Sequence, residues 1–224
     1  AADVESRPYM IKVKPKPVLV SIEADVIYPA YTGMKQETLS GVNRISLPKG
    51  SQIICKMQTR DTKHLFVNCN GKQVKLIPDK RGFAEYGLRA MSDMNVTVRT
   101  SNEYTDYSDS VALQIITIED MYPQIAVIEQ KDSILPERIL FRGQIKDDYG
   151  FDKLEFCVVK HSKGKDDVVY KQSLEVSKTE NAQEFYHYYN IEQAGLANGE
   201  SMEYYFQVWD NGDISVLQVC SRVT

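Results

Sequence analysis

The sequence is poor in the residues that carry chemistry. It has three histidines, His64, His161 and His187. None lies in an HExxH arrangement, and none has a second His or Cys at metal-ligand spacing. There is no GxSxG, no P-loop and no GxGxxG, so the motifs of serine hydrolases, P-loop phosphate binders and dinucleotide enzymes are all missing. A paired-carboxylate hydrolase draws its acids from distant strands, and nothing in the sequence favours one. The reading therefore names no catalytic residue, no cofactor-binding residue, no metal ligand and no cofactor, and expects a protein that is not an enzyme. No apolar run reaches the roughly 18 residues of a membrane span. Ala1 to Met10 has no apolar signal core, so the expected start is a cut point inside a longer protein or a processed end.

Cysteine is scarce as well. Cys55, Cys69, Cys157 and Cys220 show no CxxC spacing. Cys55 shares one strand face with Ile53 and Met57 and is expected to be a core thiol. Cys157 and Cys220 lie on strands that could be neighbours, and a bridge between them stays open because spacing alone cannot supply disulfide geometry.

The 224 residues fit two domains of ordinary size, and 42% hydrophobic with 26% charged residues is an ordinary folded composition. The net charge of −4 hides an asymmetry. Residues 1–118 carry a balance of +4 and residues 119–224 one of −8. Neither half is basic enough for nucleic acid. The asymmetry reads as two solvated surfaces of different sign, or as halves that attract each other or stack with copies.

Period-two alternation dominates. In the first half, strands are expected over 18–27, 51–59, 65–69, 73–77, 96–100 and 111–118. Asn70-Gly71 sits between two of them as a hairpin turn, since both residues tolerate positive φ. Asp120-Met121-Tyr122-Pro123 then interrupts, because Pro123 cannot donate to a ladder and holds Tyr122 extended. The boundary is expected there, giving a β-sandwich over 1–118 and an immunoglobulin-like β-sandwich over 119–224. Seven strands follow it, over 124–129, 139–145, 154–159, 168–176, 185–191, 202–209 and 214–220. One short helical turn is expected in 191–196, closed by Gly195 or Gly199. The fold class is thus all-β, two tandem immunoglobulin-like or fibronectin-like antiparallel sandwiches.

The second half carries Asp147-Asp148-Tyr149-Gly150-Phe151, then Leu154-Glu155-Phe156, and later Tyr204-Tyr205-Phe206-Gln207-Val208-Trp209-Asp210-Asn211-Gly212. The first half carries Tyr28-Pro29-Ala30-Tyr31-Thr32-Gly33 and Leu47-Pro48-Lys49-Gly50-Ser51. With Asp120-Met121-Tyr122-Pro123, this ordered set resembles the extracytoplasmic tandem immunoglobulin-like region of a family of large uncharacterised envelope proteins of Gram-negative bacteria. The resemblance spans nearly the whole chain. It implies a periplasmic or cell-envelope location, tethered by hydrophobic segments outside this sequence, and it carries over no activity. Met202 stands where fibronectin-like repeats often carry a Tyr six residues after a loop Leu, with Tyr204 two further on.

Two binding readings were weighed against bland ones. Asp147, Asp148, Asp210, Asn211 and Asp213 could converge and bind Ca²⁺, which takes about 6–8 oxygens; turn capping by Asp and Asn is preferred, because the spacing is not that of an EF-hand. Tyr170, Tyr186, Tyr188, Tyr189, Tyr204 and Tyr205 could stack on sugars, although Tyr is also common in strands for its β propensity. Two or three outward rings in a row would favour sugar binding. Trp209 falls on the strand face opposite Met202, Tyr204, Phe206 and Val208. It is expected either dry beneath a loop or exposed beside Tyr205 as a platform. The expected function is a structural or protein-interaction module, with a protein partner in the envelope ahead of a glycan. The alternatives are a carbohydrate-binding module and an accessory domain of an envelope hydrolase.

Overall fold

A computed structural model describes residues 9–106, 110–135, 137–162, 165–212 and 215–223, with Val216 the one described side chain of the last stretch. Strands account for nearly all regular structure there. The exceptions are two 3₁₀ turns, Ala30–Thr32 and Ile191–Ala194. The chain divides into two compact units, Ala1–Pro29 with Met34–Glu119, and Ala30–Gly33 with Asp120–Thr224. Both are β-sandwiches of the immunoglobulin-like, fibronectin-like kind.

The first unit contains β1 (Val18–Ile27), β2 (Glu37–Ser40), β3 (Arg44–Pro48), β4 (Gln52–Arg60), β5 (His64–Cys69), β6 (Lys72–Leu76), β7 (Phe83–Arg89), β8 (Met94–Ser101) and β9 (Val111–Ile118). One sheet runs β2-β1-β4-β7 and the other β3-β9-β8-β5-β6. Ile53, Cys55 and Met57 point inward from β4, as their alternation requires, against Leu65, Val67, Val96, Val98 and Ile115 of the facing sheet. Asn70 and Gly71 both take positive φ, 47° and 88°, the conformation a tight two-residue hairpin demands. Strands β2, β3 and β7 were not expected. β3 pairs in parallel with β9, the one parallel pairing among the described strands. It ends at Pro48, whose missing N–H is tolerated because β3 lies at the edge of its sheet. The carbonyl of Pro48 accepts from the Ser51 hydroxyl at 2.6 Å, which gives the Leu47–Ser51 motif its role as a tied corner.

The second unit has the seven expected strands: β10 (Gln124–Lys131), β11 (Arg138–Lys146), β12 (Phe151–Ser162), β13 (Lys165–Leu174), β14 (Ala182–Asn190), β15 (Ser201–Asp210) and β16 (Ser215–Val223). They form a three-stranded sheet β10-β11-β14 and a four-stranded sheet β13-β12-β15-β16. Every described pairing in this unit is antiparallel. The inward faces are those the alternation marked: Ile139, Phe141 and Ile145; Leu154, Phe156 and Val158; Met202, Tyr204, Phe206 and Val208. Gly143 stands opposite Phe185 in the β11–β14 register. A β-carbon on Gly143 would fall inside the Phe185 ring, so the missing side chain is what lets that ring lie across the strand. The expected helical turn is Ile191–Ala194. Asn190 caps its start by accepting from the Glu192 N–H, and Gly195 closes it at φ 57°.

Candidate functional site

Chemistry in a β-sandwich has to come from strand faces or from loops at the ends, so each residue singled out is placed on one or the other. β14 reads Phe185-Tyr186-His187-Tyr188-Tyr189, and period two splits it cleanly. Phe185, His187 and Tyr189 turn inward, while Tyr186 and Tyr188 turn outward at 63% and 68% exposure. His187 packs on Phe156 with ring centroids 4.5 Å apart. Burial pushes its pKa down to about 4, because a charged imidazole in that apolar setting has no counter-charge. It is a core residue, neutral at physiological pH. His161, at the β12–β13 hairpin end, shares a 2.6 Å hydrogen bond with Asp166 and lies 3.7 Å from Glu203. His64 begins β5 at the sandwich rim, its pKa lowered by burial and then by Lys75 and Lys63.

The outer face of the three-stranded sheet presents several exposed apolar and aromatic side chains. Register aligns Ile128, Arg142 and Tyr186 in one row and Gln130, Leu140 and Tyr188 in the next. Ile128 and Leu140 are exposed along with the two tyrosines. Arg142 lies over the Tyr186 ring, 5.8 Å from its centroid, and pairs with Glu184 at 3.1 Å. Tyr186 also donates to Glu184 at 3.0 Å. Tyr186 is therefore held in place by charge, whereas Tyr188, stacked on His187 with ring centroids 6.5 Å apart, is the more exposed of the two. A 250 Å³ hollow lies beside this row, lined by Ala126, Ile128, Arg142 and Glu184 among others.

The outer face of the four-stranded sheet is closed by charge instead. Glu155 is 3% exposed, flanked by Lys153 and, at 2.8 Å, by Lys171. Burial alone would raise its pKa, but hydrogen bonds from the two lysines outweigh burial and hold it below the ordinary value. Trp209 lies on this face, as expected. It is half-buried, and the Lys153 ammonium sits 4.9 Å over its ring. A lysine rather than a loop covers the indole, which takes that ring face away from any stacking ligand. Cys157 is buried beside Tyr205 on the same face, and its thiol is free. The Cys220 side chain lies outside the described residues. Cys55 is a core thiol as expected, and burial pushes its pKa up to about 11.

The acidic turns cap backbone, as preferred. Asp147 accepts the Tyr149 N–H at 2.9 Å and Asp210 accepts the Gly212 N–H at 2.8 Å. Asn211 donates to the Tyr149 carbonyl at 2.7 Å, tying the two turns together, and Gly150 supplies a φ of 95° between them. Asp213 lies outside the described residues. Among those described, no three His, Cys, Asp or Glu side chains could hold a metal ion. In the sequence Asp120 stands only as part of the 120–123 interruption, with no local pattern to mark it. Asp120 approaches the same turns: a β-carbon on Gly212 would lie 3.1 Å from an Asp120 carboxylate oxygen and 3.4 Å from one of Asp210. Burial first, then the charges of Asp148, Asp210 and Asp147, raise the Asp120 pKa to about 6.

In the first unit a 520 Å³ cavity is lined by Thr59, Asp61, Lys63, Asp79, Arg81 and Tyr104 among others. Its charges are mixed, and Asp79 spends one oxygen on the Arg81 and Phe83 N–H groups at 2.8 Å.

No protein-family model matches the chain, and no curated protein matches it. Solved structures do resemble it. The fibronectin(III)-like modules of Clostridium thermocellum CbhA are 9% identical over 79% of this chain and 86% of that one, with a TM-score of 0.27. A 1.5-MDa bacterial ice-binding adhesin is 12% identical over 92% of this chain and 64% of that one, with a TM-score of 0.46. Native Escherichia coli alpha-2-macroglobulin is 10% identical over 91% of this chain and 14% of that one, with a TM-score of 0.29. At these identities and TM-scores the likenesses carry no argument, and the β-sandwich reading rests on the strand order and pairing described above.

Proposed function

We propose that the chain is a non-catalytic structural or protein-interaction module of a membrane-anchored bacterial cell-envelope protein, working outside the cytoplasm. One observation carries this reading: many of the described residues able to do chemistry are spent on holding the fold. His187 is core, His161 is paired with Asp166, Glu155 is clamped by two lysines, and Asp147 and Asp210 cap turns. The contact surface is the outer face of β10-β11-β14, where exposed Ile128, Leu140 and Tyr188 surround an internally neutralised Arg142–Glu184 pair. Apolar and aromatic groups around a satisfied ion pair are the composition of a protein-binding patch.

The test is a photo-crosslinking residue placed in the full chain at Ile128 or at Tyr188, with the same residue at Val168 on the edge strand β13 as control. Envelope proteins captured from the first two positions and not from the third support the reading; equal yields at all three would sink it. A carbohydrate-binding module is the second reading, favoured by the adjacent outward rings of Tyr186 and Tyr188. Soluble polysaccharides that bind the full chain and lose affinity in Tyr188→Ala would put it first.

A further inference from the structure

The second unit has an open flank where its two sheets end. β14 is the last strand of the three-stranded sheet, and β13 lies at one end of the four-stranded sheet. The Tyr170 and Tyr189 rings, 5.0 Å apart, close the core between them. A 120 Å³ cavity lies on this flank, lined by Tyr170, Gln172, His187, Tyr188, Asn190 and Gln193. Both faces of β14 reach it because β14 is an edge strand: buried His187 comes from the inner face and exposed Tyr188 from the outer one. The 3₁₀ turn after β14 adds Gln193, and Asn190 caps that turn.

The lining is neutral and rich in donors. Among the described residues no carboxylate, ammonium or guanidinium lines the cavity. Lys171, between Tyr170 and Gln172 in the sequence, is bound instead to Glu155 of β12 at 2.8 Å. Gln172 spends its carbonyl oxygen on the Tyr170 hydroxyl at 2.5 Å, and Asn190 spends its own on the Glu192 N–H at 3.0 Å. An amide whose oxygen is taken keeps two N–H donors. Gln193 is exposed, and the Nε2 of buried His187 meets no hydrogen-bond partner among the described residues. Such a wall gives a charged ligand no counter-charge. It suits a ligand with a flat apolar face for Tyr188 and a rim of neutral hydrogen-bonding groups for the amides. A pyranose has both, in the C–H groups of its ring face and the hydroxyls around its edge. Pockets that enclose a drug-sized ligand run to about 300–1,000 Å³, so a cavity of 120 Å³ takes one end of a glycan and not its length.

We propose that the β13–β14 flank is a subsite for the terminal neutral pyranose of a glycan, with the sugar face on Tyr188 and its hydroxyls on the amides of Gln172, Asn190 and Gln193. The site rests on the carbohydrate reading above and narrows it to one of the two outward rings. Tyr186 is held by Arg142 and Glu184 and is not part of the cavity wall. Neutral sugars are accepted and uronates refused, because a carboxylate would be desolvated here with no cation to meet it.

The experiment titrates the ¹⁵N-labelled full chain with maltohexaose, cellohexaose and mannohexaose, and with hexagalacturonate as the charged control, reading amide shifts by NMR. At least one neutral hexasaccharide is expected to shift amides of β13, β14 and the following turn, and hexagalacturonate is expected to shift none. Tyr188→Ala should weaken that binding by about tenfold or more, and Tyr188→Phe should keep it, since the ring face makes the contact. Gln172→Ala should weaken it by about threefold to tenfold, the worth of one hydrogen bond. Tyr186→Ala should leave it unchanged. All of these side chains except the retained ring are exposed, so the variants are expected to fold, and their amide spectra show whether they do. Binding that Tyr188→Ala weakens and Gln172→Ala leaves intact overturns the subsite and keeps the carbohydrate reading. Equal losses in Tyr186→Ala and Tyr188→Ala do the same, by moving the sugar to the outer sheet face. Hexagalacturonate binding as tightly as the neutral sugars overturns the subsite as a neutral one. No shift with any of the four overturns the subsite and the carbohydrate reading together.

Discussion

The two units solve the same packing problem with different side chains. The buried core of the first is wholly aliphatic or sulfur-bearing, from Val26, Ile53 and Met57 to Leu65, Val98 and Ile115, with Tyr28 and Tyr86 only at its margin. The core of the second is built on Phe141, Phe151, Phe156, Phe185, Tyr189, Tyr204 and Phe206. Phe156 alone has ring partners in Phe141, Tyr189 and Phe206 at 4.9–5.4 Å, besides His187. An aliphatic core spreads its energy over many small contributions. An aromatic one concentrates it in a few large side chains with geometric preferences, so single truncations should cut deeper in the second unit.

The largest expected effect follows directly. Phe156→Ala should cost the second unit about 3–5 kcal/mol, and Leu65→Ala should cost the first about 2–5 kcal/mol. The chain offers a built-in way to tell the units apart, because its one Trp, Trp209, belongs to the second. Trp emission should follow the second unit alone, while far-ultraviolet circular dichroism follows both. Phe156→Ala is expected to lower the fluorescence-detected midpoint and leave a later dichroism transition in place; Leu65→Ala should do the reverse. If either variant moves both probes together, the two cores are not separable and the comparison breaks.

The aromatic core also contains the one buried histidine, which gives the second unit an acid-sensitive element of its own. The His187 pKa falls from 6.5 to about 4 on burial. A depressed histidine contributes stability above its unfolded value, and that stability is lost as pH falls from about 6.5 towards 4. The loss should be on the order of 3 kcal/mol at the acid end. His187→Phe keeps a ring against Phe156 and removes the proton. The variant should match the wild type near neutrality and exceed it in acid, by Trp209 emission in urea at each pH. An equal gap between the two proteins at every pH would mean that His187 is not neutral in the fold.

The same contrast explains what could be read from the sequence. Most strands of the second unit are visible because inward apolar residues alternate with outward ones, as Ile139, Phe141 and Ile145 do in β11 and Met202, Tyr204, Phe206 and Val208 in β15. In the first unit β2 is Glu37-Thr38-Leu39-Ser40, with no apolar alternation to see. It is held instead by Asp25, which takes 2.6 Å and 2.7 Å bonds from Lys56 and Thr38. β3 gains its place from a parallel pairing with β9, far along the chain, and no local pattern announces such a partner. β7 buries only Ala84 and half-buries Tyr86 and Leu88, too little for period two to register. The functional faces divide in the same way. That Tyr186 and Tyr188 share a face was legible, but Phe185-Tyr186-His187-Tyr188-Tyr189 is aromatic on both faces, and only packing decides which one is wet. The acidic turns were legible as caps. Asp120 was not, because its approach to Asp148 and Asp210 depends on three loops meeting through non-local strand pairing.

The smallest expected effect tests backbone rather than core, and it stays within the first unit, where side-chain energies are spread thinnest. Gly71 and Gly87 are both glycines in the open, with nothing within 4 Å of an added β-carbon. Size therefore cannot distinguish them. Gly71 sits in the hairpin between β5 and β6 at φ 88°, where an L side chain meets its own backbone. Gly87 lies inside β7, outside the set of positive-φ glycines. Gly71→Ala should cost about 1–2 kcal/mol from backbone conformation alone. Gly87→Ala removes chain entropy from the unfolded state without strain and should be neutral or stabilising by about 0.4–1 kcal/mol. Both are measured as shifts in the dichroism transition that Trp209 does not report. Equal costs for the two would show that the turn tolerates a side chain, and that Asn70-Gly71 does not depend on the positive φ of its second residue.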